Sequence, residues 1–164
     1  MSICRFGIIG AGSIAAHFCK GVKLVEGAEV VAVASSSEER AVAFAQANGV
    51  PQAYGSYEEM LRQADINVVY IATTHNFHMD NIRLCFEFGK HVLCEKAMVL
   101  TASDAREVFS MAKEKNLRCT VGSDGHSTRS AGRTAIVAKE RIRTNEKLVE
   151  ILKSGDYEFY IQEK

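Results

Sequence analysis

Phe6-Gly7-Ile8-Ile9-Gly10-Ala11-Gly12-Ser13-Ile14-Ala15 decides how the rest of the chain is read. An apolar strand from Ile3 to Ile9 runs into a tight glycine turn, and a helix opens near Ser13. The spacing is G-x-G-x-x-A, carried by Gly10, Gly12 and Ala15. Gly10 allows a sharp turn. Gly12 has no side chain where a pyrophosphate would approach the backbone, and Ala15 lets helix and strand pack closely. The helix N-terminus adds unpaired N–H groups and a partial positive charge. With a strand before the turn and a helix after it, a dinucleotide site is the expectation. A strand-to-helix turn without a ligand is the plainer alternative.

Outward from this turn, strands and helices alternate. Ile14 to Val25 continues an amphipathic helix that stops at Gly27, and Glu29 to Ala34 forms a near-continuous apolar strand. A run of that kind suits a strand buried on both faces, as in a parallel sheet. A helix over Glu38 to Asn48 ends at Gly49, Tyr54 lies on a short strand, and Tyr57 to Gln63 is helical. Asn67 to Ala72 is the fourth strand, His78 to Phe88 a helix, His91 to Cys94 the fifth strand. A helix then runs from Thr101 to Lys115, with a sixth strand over Leu117 to Val121. The pattern predicts an α/β fold: a doubly wound, mainly parallel sheet with right-handed crossovers.

Composition narrows the class. The chain has 164 residues, 47% of them hydrophobic, enough for one domain with a sizeable core and short for two. Twenty basic and 20 acidic residues give a net charge of +0. Neither a nucleic-acid stripe nor a membrane-spanning run is evident, and the N-terminus has no signal-peptide layout. Five scattered cysteines (Cys4, Cys19, Cys85, Cys94, Cys119) form no C-x-x-C pair and read as reduced thiols of a cytoplasmic protein.

Ligands of such sheets bind beyond the carboxyl ends of the strands. The loops after Ile9, Ala34, Ala72 and Cys94 are therefore the ones to inspect. After Ala34, where an NAD binder would usually carry an acid, stand Ser35, Ser36 and Ser37, with Arg40 nearby. Serine hydroxyls and an arginine can hold a 2′-phosphate, which favours NADP over NAD; Glu38 is the competing acid, read as a helix first-turn residue. A loop with a helix cap is the plain reading. After Ala72 come Thr73, Thr74, His75, Asn76, Phe77 and His78, for which capping by Thr74 or Asn76 is the simple account. After Cys94 come Glu95, Lys96 and Ala97. A surface ion pair there contributes little. A lysine at that edge could instead orient a substrate oxygen beside the nicotinamide.

Residues 3–121 resemble the N-terminal domain of the Gfo/Idh/MocA oxidoreductases. The resemblance is carried by Gly10-Ala11-Gly12-Ser13-Ile14-Ala15, by Val69-Tyr70-Ile71-Ala72-Thr73 with Asn76 and His78, and by Gly89-Lys90-His91-Val92-Leu93-Cys94-Glu95-Lys96. Within the family the chain is most similar to dihydrodiol dehydrogenase-like members. The resemblance implies a Rossmann domain binding NAD or NADP. Gly10, Gly12, Ser13 and Ile14 would hold the pyrophosphate, and Ser35 and Ser36 the adenosine ribose. Ala72, Thr73, Thr74, Asn76 and His78 would lie along the nicotinamide half. Glu95 and Lys96 match the family's Glu-Lys-Pro motif, with Lys96 as the catalytic lysine. The motif's proline is Ala97 here. A cis bond before alanine costs about 3 kcal/mol, so a trans bond is expected.

Family members continue into a substrate domain, and nothing after Val121 reads as one. The organisation expected is a Rossmann domain over 1–121 and a tail over 122–164 of strand (Thr134 to Ala138), helix (Asn145 to Lys153) and strand (Tyr157 to Ile161). These strands are expected to extend the main sheet or to swap with a neighbouring chain. The tail, with Asp124 and His126, is similar to the end of a PHP-type metal-dependent phosphoesterase domain. Two ligands do not make a hydrolytic site, so no metal is expected; Asp124 and His126 remain the alternative pair. The function implied is hydride transfer between a nicotinamide and a sugar, polyol or diol. Two alternatives stay open: a phosphoesterase-like remnant, or a non-catalytic dinucleotide-binding or assembly module. An uncovered sheet edge suggests a homodimer.

Overall fold

A computed structural model of the chain describes residues 3–120, 122 and 134–161. They fall into two compact units, residues 1–111 and 112–164. In the first, β1 (Cys4–Ile9), β2 (Ala28–Ala34), β3 (Gln52–Tyr54), β4 (Val68–Ile71) and β5 (His91–Cys94) form one sheet in the order β3-β2-β1-β4-β5. Every pairing is parallel. Helices α1 (Ser13–Val22), α2 (Glu38–Asn48), α3 (Tyr57–Gln63) and α4 (His78–Glu87) make the crossovers. β1 is flanked by β2 and β4, so the order reverses there, and the glycine turn leaves the sheet at that switch point.

Both faces of the sheet are covered, which is why the strands read as apolar runs rather than alternations. Ile8, Val33 and Tyr70 join Ala15 and Cys19 of α1 and Phe44 and Ala45 of α2 in one buried cluster. Gly7 lies on the opposite face, where an added Cβ would sit 3.3 Å from Met60 of α3 and 2.6 Å from Ile66. Ile9, Ile71, Ile82 and Cys85 are each 1% exposed or less. Each such side chain contributes roughly 1.5–3 kcal/mol on leaving water.

α2 and α3 begin with serine caps: Ser37 Oγ accepts from Arg40 N–H and Ser56 Oγ from Glu59 N–H. Two acids follow in each first turn, Glu38 and Glu39, then Glu58 and Glu59. α5 (Ala102–Glu114) is capped by Thr101, whose Oγ1 accepts from Asp104 N–H at 3.1 Å. It closes as a Schellman motif: Leu117 N–H donates to Ala112 O at 2.8 Å and Asn116 N–H to Lys113 O at 3.0 Å. Asn116, at φ 53°, occupies the left-handed position that glycine usually takes.

The expected sixth strand over Leu117 to Val121 is a correction. Residues 117–120 are not a strand, and Val121 lies outside the described residues. A short run becomes a strand only when an edge takes its polar groups. Here the Cys119 carbonyl accepts from Tyr157 OH at 2.5 Å instead. The placement of the tail strands is a second correction. β6 (Thr134–Ala138) and β7 (Tyr157–Ile161) pair with each other, antiparallel, in a separate two-stranded sheet. Between them runs α6 (Asn145–Ser154), capped by Thr144 and ended by Gly155 at φ 73°. No helix among the described residues is long and apolar enough to cross a membrane.

Gly10 has φ +105°, and an added Cβ would lie 2.9 Å from both the carbonyl carbon and the oxygen of Ala72. Gly12 has φ −106° and open space where its Cβ would be. Gly10→Ala should therefore lower stability by about 2–4 kcal/mol, and Gly12→Ala by less than about 1 kcal/mol. Urea unfolding of both variants beside the wild type checks this contrast.

Candidate functional site

The glycine turn is fastened to both neighbours of β1. Gly10 N–H donates to Ala34 O of β2 at 2.9 Å, and Ala72 N–H donates to Ile9 O at 2.8 Å. α1 then starts at Ser13 with Gly12 as its N-cap, no side-chain cap and no acid in its first turn. Serine or threonine caps and acidic first turns quench the other ends at α2, α3 and α6. The amides of Ser13 and Ile14 thus face outward beside an open Cα, with the helix dipole behind them. That is the local requirement for holding a phosphate.

At the end of β2, Ser35 is buried at 2% exposure, and its N–H donates to Tyr54 O at 3.1 Å. Ser35 and Ser36 line a groove of about 280 Å³ together with Gly55, Ser56, Tyr57 and Glu58. Burial pushes the Tyr57 phenol upward, and the neighbouring Arg40 charge opposes that shift. Arg40 is joined to the serine stretch through its backbone, its N–H donating to Ser37 Oγ at 3.4 Å. Glu58 joins the groove from the first turn of α3, and its place in sequence, after β3, gives no sign of the serines it lies beside.

Beyond β4, Thr74, His75, Asn76 and Phe77 are exposed, and His75–Phe77 form a single 3₁₀ turn. Thr74 stands at the cap position but caps nothing with its side chain. Thr73 Oγ1 accepts from Asn81 at 3.1 Å. His78 departs from the sequence expectation. It is 1% exposed, and its ring nitrogens meet two backbone carbonyls: Nδ1 at Ala97 (2.9 Å) and Nε2 at Thr73 (3.0 Å). It ties two loops together from beneath and presents no ring nitrogen to a ligand.

The loop after β5 holds Lys96 at the surface. Glu95 is half-buried: Oε1 accepts from Tyr70 OH at 2.5 Å, and Oε2 from the Lys96 N–H at 3.2 Å. The Lys96–Ala97 peptide is cis, against the expected trans bond, and the Ala97 carbonyl there meets His78. Burial pushes the Cys94 and Cys85 thiols up to about 12, so neither offers a thiolate. All five cysteines are free.

Gly10, Gly12, Ser35, Ser36, Ala72, Thr73, Thr74, Asn76, Glu95 and Lys96 thus stand on connections at the carboxyl ends of β1, β2, β4 and β5, with Ser13 and Ile14 in the first turn of α1 and Arg40 in the first turn of α2. Asp124 and His126 lie outside the described residues. Among the described residues no three His, Cys, Asp or Glu side chains come together as a metal site. A second groove of about 250 Å³ lies at the opposite ends of the strands, lined by Lys23, Ala28, Glu29 and Pro51.

Known proteins share this arrangement. Residues 4–123 match the family described as an oxidoreductase family with an NAD-binding Rossmann fold, and residues 102–157 match one described as PHP-associated. The 1,5-anhydro-D-fructose reductase of Ensifer adhaerens is 36% identical over 141 residues, 84% of this chain and 42% of that protein. The trans-1,2-dihydrobenzene-1,2-diol dehydrogenase of Bos taurus is 41% identical over 115 residues, 69% of this chain and 34% of its own. KijD10, a 3-ketoreductase from Actinomadura kijaniata solved with NADP, matches with a TM-score of 0.67 at 28% identity, over 73% of this chain and 38% of that one. The WlbA dehydrogenase from Chromobacterium violaceum, in complex with NADH and UDP-GlcNAcA, gives 0.68 at 26% identity, over 75% and 36%. The chain spans well under half the length of each of these relatives. With its sheet order, its glycine turn and the match over residues 4–123, the chain belongs to the Gfo/Idh/MocA family of oxidoreductases, of the NAD-binding Rossmann fold.

Proposed function

We propose that residues 1–121 are the dinucleotide-binding domain of an oxidoreductase that moves a hydride between a nicotinamide and a carbinol or carbonyl carbon of a sugar, polyol or diol. The observation that carries this reading is the open, uncapped start of α1 over Gly12 at the switch point. In it, Gly10, Gly12, Ser13 and Ile14 hold the pyrophosphate. Ser35 and Ser36 hold the adenosine ribose, and Ala72, Thr73, Thr74 and Asn76 flank the nicotinamide half. The bound dinucleotide supplies the hydride donor or acceptor. Lys96, exposed beside that half, orients or polarises the substrate oxygen, and Glu95 braces it. His78 supports both loops from below. The names of the relatives, a reductase of an anhydro sugar and a diol dehydrogenase, support the substrate class.

NADP is the preferred cofactor in this reading, on the strength of Ser35, Ser36 and Arg40. Glu58, which lines the same groove, and Glu38, which lies against Gly55 there, are the acids that would oppose a 2′-phosphate. The substrate-covering part lies outside residues 1–121, so these residues bind cofactor and depend on another polypeptide segment for turnover. Five free thiols accord with a reducing, cytoplasmic setting. A second copy of the chain is the partner proposed for the open edge. A second reading concerns the tail alone. The PHP-associated match over 102–157 favours a phosphoesterase-like origin for residues 122–164, with Asp124 and His126 as its remaining ligands. Stoichiometric zinc or manganese in purified protein, lost in His126→Ala, would bear that out; metal-free protein would sink it.

Titration of the full chain with NADPH and NADH, followed by nicotinamide fluorescence, tests the main reading. Saturable binding is expected, weakened at least tenfold in Gly12→Val, which keeps its fold because the position is open. Equal binding by wild type and variant would refute the site. Arg40→Ala should weaken NADPH about tenfold and leave NADH within about twofold, in line with the loss of one charge-assisted contact. Equal losses for both cofactors would remove the NADP preference.

A further inference from the structure

Tyr70 sits in β4 among aliphatic neighbours and is 4% exposed. Its ring stacks on Phe18 of α1, with centroids 4.0 Å apart and planes 20° apart. Phe18 in turn meets Phe6 of β1 edge-on, at 5.1 Å and 77°. The Tyr70 hydroxyl leaves this apolar column and donates to Glu95 Oε1 at 2.5 Å, while Glu95 Oε2 accepts from the Lys96 N–H. A phenylalanine would fill the same space in the core. The hydroxyl, which burial and the Glu95 bond keep protonated, adds only the link to Glu95. One side chain therefore spans from the helix behind the glycine turn to the lysine loop.

We propose that Tyr70 is a positioning residue for Lys96, holding Glu95, and through it the Lys96 backbone, in fixed register with α1 and the glycine turn. The assignment rests on the dinucleotide reading above. It differs from a packing role because it resides in the hydroxyl and not in the ring. Loss of the hydroxyl frees one oxygen of a half-buried carboxylate, which then turns toward other donors and releases the Lys96 amide. The adenosine and pyrophosphate contacts stay in place, so the effect falls on the nicotinamide end alone.

The test uses NADPH and four forms of the full chain: wild type, Tyr70→Phe, Lys96→Ala and the double variant. Folding is checked by circular dichroism and thermal melting. Affinity in Tyr70→Phe should stay within about threefold of wild type, since the adenosine half is untouched. The fluorescence of bound NADPH at saturation should fall by at least half of the fall seen in Lys96→Ala. The double variant should fall no further than Lys96→Ala. A smaller fall in Tyr70→Phe, or additive falls in the double variant, overturns the assignment. If wild-type chain fails to bind NADPH, the cofactor reading fails and this assignment with it. Binding with unchanged fluorescence in Tyr70→Phe sinks the assignment alone. Should Tyr70→Phe fold poorly, Glu95→Gln weakens the same bond from the loop side and is judged by the same criterion.

Discussion

The close passage of Gly10 over Ala72 is the constraint on which the rest depends. Backbone meets backbone there, with no room for a Cβ and with φ at +105°. Only glycine allows both without strain. Because the chain can turn at this point, β1 delivers the start of α1 at the switch point, where β1 is flanked by β2 and β4. Two backbone bonds, from Gly10 to β2 and from Ala72 to β1, hold the turn in line with the sheet. α1 then begins at an open glycine, with its first amides unquenched. The parallel sheet builds the platform, and the turn decides that something negatively charged can approach it.

A second set of contacts brings the lysine loop to the same edge. His78 meets the carbonyls of Thr73 and Ala97, so the loops after β4 and β5 cannot drift apart independently. Tyr70 fixes Glu95 from the side of α1. Lys96 is thus flanked on both sides by residues tied to the sheet. Positioning of this kind matters because a misplaced catalytic group loses most of its effect over about an ångström. The groups that do the tying are buried; the candidate ligand-facing groups, Thr74, Asn76 and Lys96, are exposed. The division follows from the fold: strands end inside, and their loops emerge.

Much of this was legible in the chain because the signals are local. The apolar runs at Val30 to Ala34 and Val68 to Ile71 mark strands buried on both faces. Ser37 and Thr101 mark helix starts, and Gly10-Ala11-Gly12 marks the turn. What was not legible depends on partners distant in sequence. Tyr70 stood within the fourth strand, and only the fold brings Glu95, 25 residues on, to its hydroxyl. An unpaired tyrosine hydroxyl in an aliphatic strand was the available signal. The family resemblance set His78 along the nicotinamide half, but its nitrogens meet carbonyls below the surface. The strand expected over Leu117 to Val121 failed for a related reason, since strands need an accepting edge. The Cys119 carbonyl went to Tyr157. β6 and β7 satisfied one another, which no periodicity could announce.

The most direct measurement is a map of backbone amide chemical shifts in the full chain as NADPH is added. The account expects saturable changes at Gly10 to Ala15, Ser35 to Arg40, Thr73 to Asn76 and Glu95 to Ala97. It expects none in the groove of Lys23, Glu29 and Pro51 at the far ends of the strands. Changes confined to that far groove, or no saturable change anywhere, would contradict it.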